Sequence, residues 1–119
     1  MTRIFQPGKL ILSGEHAVVH GAPALARSLP LGIHIESSPH PLPEIRIIRP
    51  PAADLRLPLD ALPARLHTYT ERHRAFREGS RTIREVLPEA DDFITAAAAL
   101  AAPAQGACLQ LRSDLPPGA

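Results

Sequence analysis

The 119-residue chain has no tryptophan, one tyrosine, three phenylalanines and one cysteine. So few aromatic residues leave any core to be built from Leu, Ile, Val and Ala. A single cysteine, Cys108, excludes an intrachain disulfide, and its apolar alternating surroundings read as those of a buried, unreactive thiol. Charge of one sign is scarce as well. Thirteen Lys and Arg against twelve Asp and Glu give a formal net charge of +1, so there is no electrostatic case for a nucleic acid or an anionic membrane as partner. Apolar runs are short. The longest, "AAAALAA", falls far below the ~20 residues that span a bilayer, and the early Pro7-Gly8 pair followed by charged residues is unlike a secretory signal. The cytoplasm is the expected compartment.

Proline, by contrast, is abundant: fourteen residues, clustered at 39–43, 50–51 and 116–117. Prolines placed so predict sharp connections and no long uninterrupted helix. The length suits one domain over residues 1–119.

Up to residue 40 the chain reads as extended. "LILSG" and "AVVHG" are β-rich runs, with "QPGK" as a turn centred on Pro7-Gly8 from which Lys9 enters a strand. "LGIHIESS" sets Leu31, Ile33 and Ile35 against Gly32, His34 and Glu36, the alternation of a half-buried strand. Leu10 and Leu12 are expected to share a buried face. "EIRIIR" puts Ile45 and Ile47 on one face, and "DLRLPLD" predicts a short edge strand because Pro58 is unsuited to a central one.

The period then changes. Asp60 is a candidate helix cap with Pro63 in the first turn, and Leu62, Leu66, Tyr69, His73 and Phe76 follow a helical stripe. Arginines between 65 and 84 alternate with Glu71, Glu78 and Glu85, as on a solvated face. "RTIREVL" predicts a short second helix, and Asp91 is a candidate cap for "DFITAAAALAA", ended by Pro103 and Gly106. "ACLQLRS" alternates again, with Leu109 and Leu111 together. Strands, then helices, then one strand make an α+β chain.

Histidines suggest no metal site. His16 and His20 lack the glutamate that a helical zinc motif places after the first histidine. In the strand that Ala17, Val18 and Val19 favour, they lie roughly 13 Å apart, beyond joint ligation of one ion. His67 and His73 read as surface residues. Lys9, Glu15 and His16 are more suggestive, since a break at Gly14 can aim the last two toward the side of Lys9. Spacing alone is equally compatible with a surface Lys9–Glu15 ion pair, worth under ~1 kcal/mol.

"PGKLILSGEHAVVHGAPALA", Pro7 to Ala26, closely resembles the N-terminal motif of mevalonate kinases, in the superfamily of galactokinase, homoserine kinase, mevalonate kinase and phosphomevalonate kinase. The run Gly14-Glu15-His16-Ala17-Val18-Val19 with Gly21 is its specific core. Galactokinases share the "GEH" but follow it with an Asp-Tyr pair absent here. "LQLRSDLPPGA" resembles the lead-in to the superfamily's glycine-rich phosphate loop, which continues in relatives as Gly-Leu-Gly-Ser-Ser. "DLRLP" resembles a further segment, although Leu59 replaces the usual polar residue. Residues 60 to 106 match only in helical character.

The resemblance implies ATP-dependent phosphorylation of a hydroxyl on mevalonate, a small carboxylic acid. It implies an incomplete two-layer α+β domain of the ribosomal protein S5 domain 2-like type, truncated before the phosphate loop. Lys9 matches the family lysine near the reacting hydroxyl. Glu15 and His16 match the substrate-contacting pair, and Ser113, Asp114 and Gly118 match the approach to the phosphate loop. ATP and Mg2+ are the cofactors of the complete enzyme. The loop amides, the magnesium ligands and the catalytic aspartate would all lie downstream, so this chain is expected to bind neither productively and to be inactive alone. A complementing C-terminal chain or self-association would cover the apolar residues around Leu109 and Leu111. The alternative is a non-catalytic ligand-binding or regulatory module that keeps the half-fold; a third reading is a non-functional remnant.

Overall fold

The computed structural model describes residues 1–116. Four strands precede two helices and a last strand: β1 (Thr2–Ser13), β2 (Leu25–Pro39), β3 (Glu44–Ile48), β4 (Leu55–Pro58), α1 (Leu62–Arg77), α2 (Asp92–Ala101) and β5 (Ala107–Ser113). The strands hydrogen-bond in the order β1-β2-β5-β3-β4, which puts the Pro58-containing β4 at an edge, as expected. The class is α+β. The chain divides into two compact units, Met1–Ser38 with Ile47–Asp54 and the segment from Leu109 onward, and Pro39–Arg46 with Leu55–Cys108.

In the first unit β1 and β2 form an antiparallel ribbon. It runs regularly from Thr2 opposite Ser37 to Pro7 opposite Gly32, and the register then shifts twice, between Pro7 and Lys9 and between Ile11 and Ser13. "QPGK" is therefore not a turn but an irregular stretch inside β1. A proline on an edge strand costs no ladder bond that the sheet needs. Pro30 falls in the same irregular stretch on the other strand, which lets β2 begin six residues before the expected "LGIHIESS". Gly32 is required here, because a Cβ on it would lie 2.1 Å from the Gln6 carbonyl oxygen.

The expected burial of this ribbon is met only in part: Ile35 is half-buried. Leu10, Leu12, Leu31 and Ile33 are all exposed, whereas His34 and Glu36 are half-buried. Ile47, at 1% exposure, is the one buried hydrophobic residue of this unit among those described.

The second unit holds the rest of the buried apolar set: Ile45, Leu57, Leu62, Tyr69, Val86 and Ala99. Helix α1 packs on α2. Pro63 sits in the first turn of α1 as expected, but Asp60 makes no side-chain cap; it lies in a 3-10 turn, Leu59–Ala61, that leads into the helix. Leu62 and Tyr69 are buried, while His73 and Phe76, farther along the same stripe, reach the surface. Asp91 offers its backbone carbonyl, not its side chain, to α2, accepting from the Thr95 hydroxyl at 2.8 Å. The expected second helix shrinks to one 3-10 turn, Ile83–Glu85. Its entry is fixed by a capping box in which the Thr82 N–H donates to the Glu85 carboxylate at 2.7 Å.

Two buried polar side chains satisfy each other between these helices. The Tyr69 hydroxyl donates to Asp92 Oδ1 at 2.7 Å, and the Glu89 N–H donates to Asp92 Oδ2 at 2.9 Å. Burial opposes ionisation of Asp92 most strongly, yet those two donors and the charges of Arg72 and Arg65 together hold its pKa below the ordinary carboxylate value. Burial, then the hydrogen bond to Asp92 and its charge, raise that of Tyr69.

Candidate functional site

Lys9 stands exposed on β1, directly after the first register shift. Gly8 before it allows a close approach, since a Cβ there would meet the Leu115 side chain at 2.8 Å and the Leu31 carbonyl oxygen at 3.3 Å. Glu15 and His16 lie in the turn that follows β1. They open a compact loop bounded by two left-handed glycines, Gly14 and Gly21, each at φ 84°. The Val18 N–H donates to the Gly14 carbonyl at 3.0 Å and the Gly21 N–H to the Val18 carbonyl at 3.1 Å. A Cβ at Gly14 would fall 2.5 Å from the Pro23 carbonyl oxygen, so the loop closes on the chain leading into β2 only with glycine there.

This geometry corrects the extended reading of Ala17–Val19. Residues Ala17–His20 form a 3-10 turn, because the two glycines fold the segment back on itself before any strand can pair with it. Val18 and Val19 project outward, Val19 with 78% of its surface exposed. The strand argument against joint ligation by His16 and His20 lapses with that correction. Independently, the described residues contain no group of three or more potential ligands able to hold a metal ion.

Lys9, Glu15 and His16 are thus placed on one strand-and-turn element, all exposed. Among the described residues none of the three side chains engages in a hydrogen bond or ion pair, so the alternative, a Lys9–Glu15 ion pair, is not formed. An ammonium, a carboxylate and an imidazole unspent on internal contacts can supply one cation, one proton acceptor and one donor-acceptor ring.

Ser113 and Asp114 are engaged otherwise. Asp114 accepts from His34 Nε2 at 2.6 Å and from Arg112 at 2.6 Å, and its own N–H donates to the Gly32 carbonyl at 2.9 Å. The hydrogen bond from His34, reinforced by Arg112, lowers its carboxyl pKa. The Ser113 hydroxyl accepts from the Leu115 N–H at 3.2 Å. Both side chains hold contacts that shape the exit from β5. Gly118 lies outside the described residues. His34 and Arg112 were not foreseen as site residues, because the pairing of His34 with Asp114, 80 positions away, appears only once β2 lies beside β5. His34 also meets the Phe5 ring, with centroids 4.8 Å apart. His34, Glu36, Gln110, Arg112, Ser113 and Leu115 are among the residues lining a half-open cavity of about 980 Å³; Lys9, Glu15 and His16 are not.

The fold is that of solved mevalonate kinases over the matched region. One such structure covers 99% of this chain with a TM-score of 0.62 at 21% sequence identity, and the chain covers 34% of it. The Methanococcus jannaschii mevalonate kinase gives a TM-score of 0.62 and 21% identity, with 98% of this chain and 33% of that one covered. In sequence, 34 residues are 62% identical to the mevalonate kinase of Homo sapiens, 29% of this chain and 9% of the human protein. No family model matches the chain. The chain is therefore similar to mevalonate kinase in a short sequence and in fold, and it spans about a third of the length of the solved kinases it matches. No helix among the described residues is long and apolar enough to cross a membrane.

Proposed function

We propose that this chain carries the acceptor-side half of a mevalonate kinase site. In this reading the completed enzyme transfers a phosphoryl group from ATP to the hydroxyl of mevalonate in the cytoplasm, on a domain of the ribosomal protein S5 domain 2-like type. The observation that carries the proposal is the exposed, unengaged set Lys9, Glu15 and His16 on one strand-and-turn element, in a chain similar to mevalonate kinase in sequence and fold.

Each residue has a role that its chemistry suits. An ammonium ~4 Å from developing negative charge stabilises it by up to about 4 kcal/mol at an effective dielectric of 20, so Lys9 favours the ionised acceptor oxygen. Glu15 accepts the hydroxyl hydrogen bond, and His16 donates to the substrate carboxylate. ATP and Mg2+ belong to the completed enzyme, with Ser113, Asp114 and Gly118 on the approach to its phosphate loop. No step on this chain is routed through them. Since positioning of the donor supplies much of the catalysis in phosphoryl transfer, the chain alone is inactive.

The test has two arms. Isotope transfer from ATP to mevalonate by the purified chain should stay at background, and appreciable turnover refutes the half-site. Mevalonate titrated into the labelled chain should shift the resonances of Glu15 and His16, and His16→Ala should abolish the effect. Shifts confined to the His34–Arg112 cavity would favour a ligand-binding module of another kind.

A further inference from the structure

Three segments of the first unit meet where β5 ends. The Asp114 N–H donates to the Gly32 carbonyl at 2.9 Å, and its carboxylate accepts from His34 Nε2 at 2.6 Å. Asp114 is thereby tied to β2 by main chain and side chain at once. His34 is itself braced from β1 by the Phe5 ring, and Gly32 is buried where a Cβ would strike the Gln6 carbonyl. Leu115, the next residue, lies over Gly8: a Cβ on Gly8 would come within 2.8 Å of the Leu115 Cδ2. Gly8 directly precedes Lys9, in the stretch where the β1–β2 register slips and the ladder alone does not fix the backbone. A lone surface ion pair would contribute little. This one is half-buried, shares its acid with a main-chain bond to the same strand, and leads through one apolar contact to Lys9.

We propose that His34 is a positioning residue: by holding Asp114 it keeps Leu115 against Gly8 and so fixes Lys9 relative to the exit of β5. The use of that arrangement rests on the kinase reading above, in which Lys9 meets the acceptor oxygen and the chain beyond β5 leads to the phosphate loop. Phosphoryl transfer is sensitive to such placement, since a misplacement of about 1 Å can cost about a hundredfold in rate. Arg112 cannot serve in the same way. It donates to the other carboxylate oxygen at 2.6 Å from two residues back on β5, so it neutralises the acid without tying it to another strand. Glu36, the next acid along this face of β2, is taken up by Arg3 at 2.9 Å and does not compete for the ring.

Lys9 is the chain's only lysine, so isotopic labelling of lysine in the purified chain gives a single backbone amide signal, that of the Gly8–Lys9 peptide. His34→Ala should move that signal, and should speed hydrogen exchange of the Asp114 N–H at least about tenfold. Asp114→Asn should move the signal the same way, with the double variant going no further than the larger single change. His34→Gln keeps an N–H donor and should return both readouts toward the parent. His34→Phe keeps a ring against Phe5 without the donor, so it replaces His34→Ala if that variant does not fold. Thr82→Ala loosens the capping box of the other unit and should change neither readout, which separates a specific tie from a general loss of stability. A Lys9 signal that stays in place without the His34 donor, additive effects of the two substitutions, no recovery in His34→Gln, or an equal change in Thr82→Ala would each overturn the proposal. Neither mevalonate nor ATP is used. The tie can therefore fail while Glu15 and His16 still recognise mevalonate, and stand while that recognition fails.

Discussion

Gly14 is the residue on which the candidate site turns. Gly14 and Gly21 share the same left-handed φ of 84°, but a Cβ at Gly14 would lie 2.5 Å from the Pro23 carbonyl oxygen while one at Gly21 meets nothing within 4 Å. Alanine at Gly21 should therefore cost only the left-handed strain, roughly 1–2 kcal/mol. At Gly14 it should cost more, as backbone must also move, and urea denaturation of the two variants measures the difference. Asp92 sets a second residue-scale expectation. Its folded pKa is depressed, so its contribution to stability is present above the unfolded carboxylate value and is lost as pH falls through the folded one. Tyr69→Phe removes one of its donors and should cost about 1–3 kcal/mol at neutral pH. The same variant should move the acid-unfolding midpoint upward, because Asp92 then protonates at higher pH. Asp114 follows the same sign through His34, and His34→Ala should likewise raise the pH at which its contribution disappears.

At the scale of elements, the helices test how local rules are used. Thr82 and Glu85 close a capping box around a turn too short to hold itself, and Thr82→Ala should lose about 1 kcal/mol in thermal or urea unfolding. Ala102 ends α2 in a left-handed conformation, φ 46° and ψ 55°, where glycine is the usual residue. Ala102→Gly should stabilise the chain by up to about 1 kcal/mol, and a lower melting temperature would contradict that. What was legible in the sequence was periodic and local. Ile45 and Ile47 of β3, the edge position of β4 and the alanine-rich α2 all follow from spacing or from a single proline. What was not legible depended on partners distant in the chain. Pro7-Gly8 reads as a turn unless β2 is known to lie opposite it, and Ala17–Val19 reads as a strand until no strand is found to pair with it. The His34–Asp114 bond needs β2 and β5 side by side. Leu31 and Ile33 of "LGIHIESS" end exposed because alternation reports which face is apolar, not whether anything covers it.

For the whole molecule, these observations lead to one account. The first unit displays Lys9, Glu15 and His16 on an exposed strand and turn, with Ile4 and Ile33 of the ribbon exposed as well. Both fit a chain similar to mevalonate kinase that spans about a third of the solved kinases' length. Charge at Lys9 should matter to the chemistry. The most direct measurement places this chain in register with the remaining two thirds of the Methanococcus jannaschii kinase in one polypeptide and compares ATP-dependent mevalonate phosphorylation with and without Lys9→Met. With Lys9→Met, kcat/KM should fall by at least about a hundredfold, the scale of losing one group aimed at developing charge. A Lys9→Met enzyme that folds equally well and turns over at the parent's rate would contradict it.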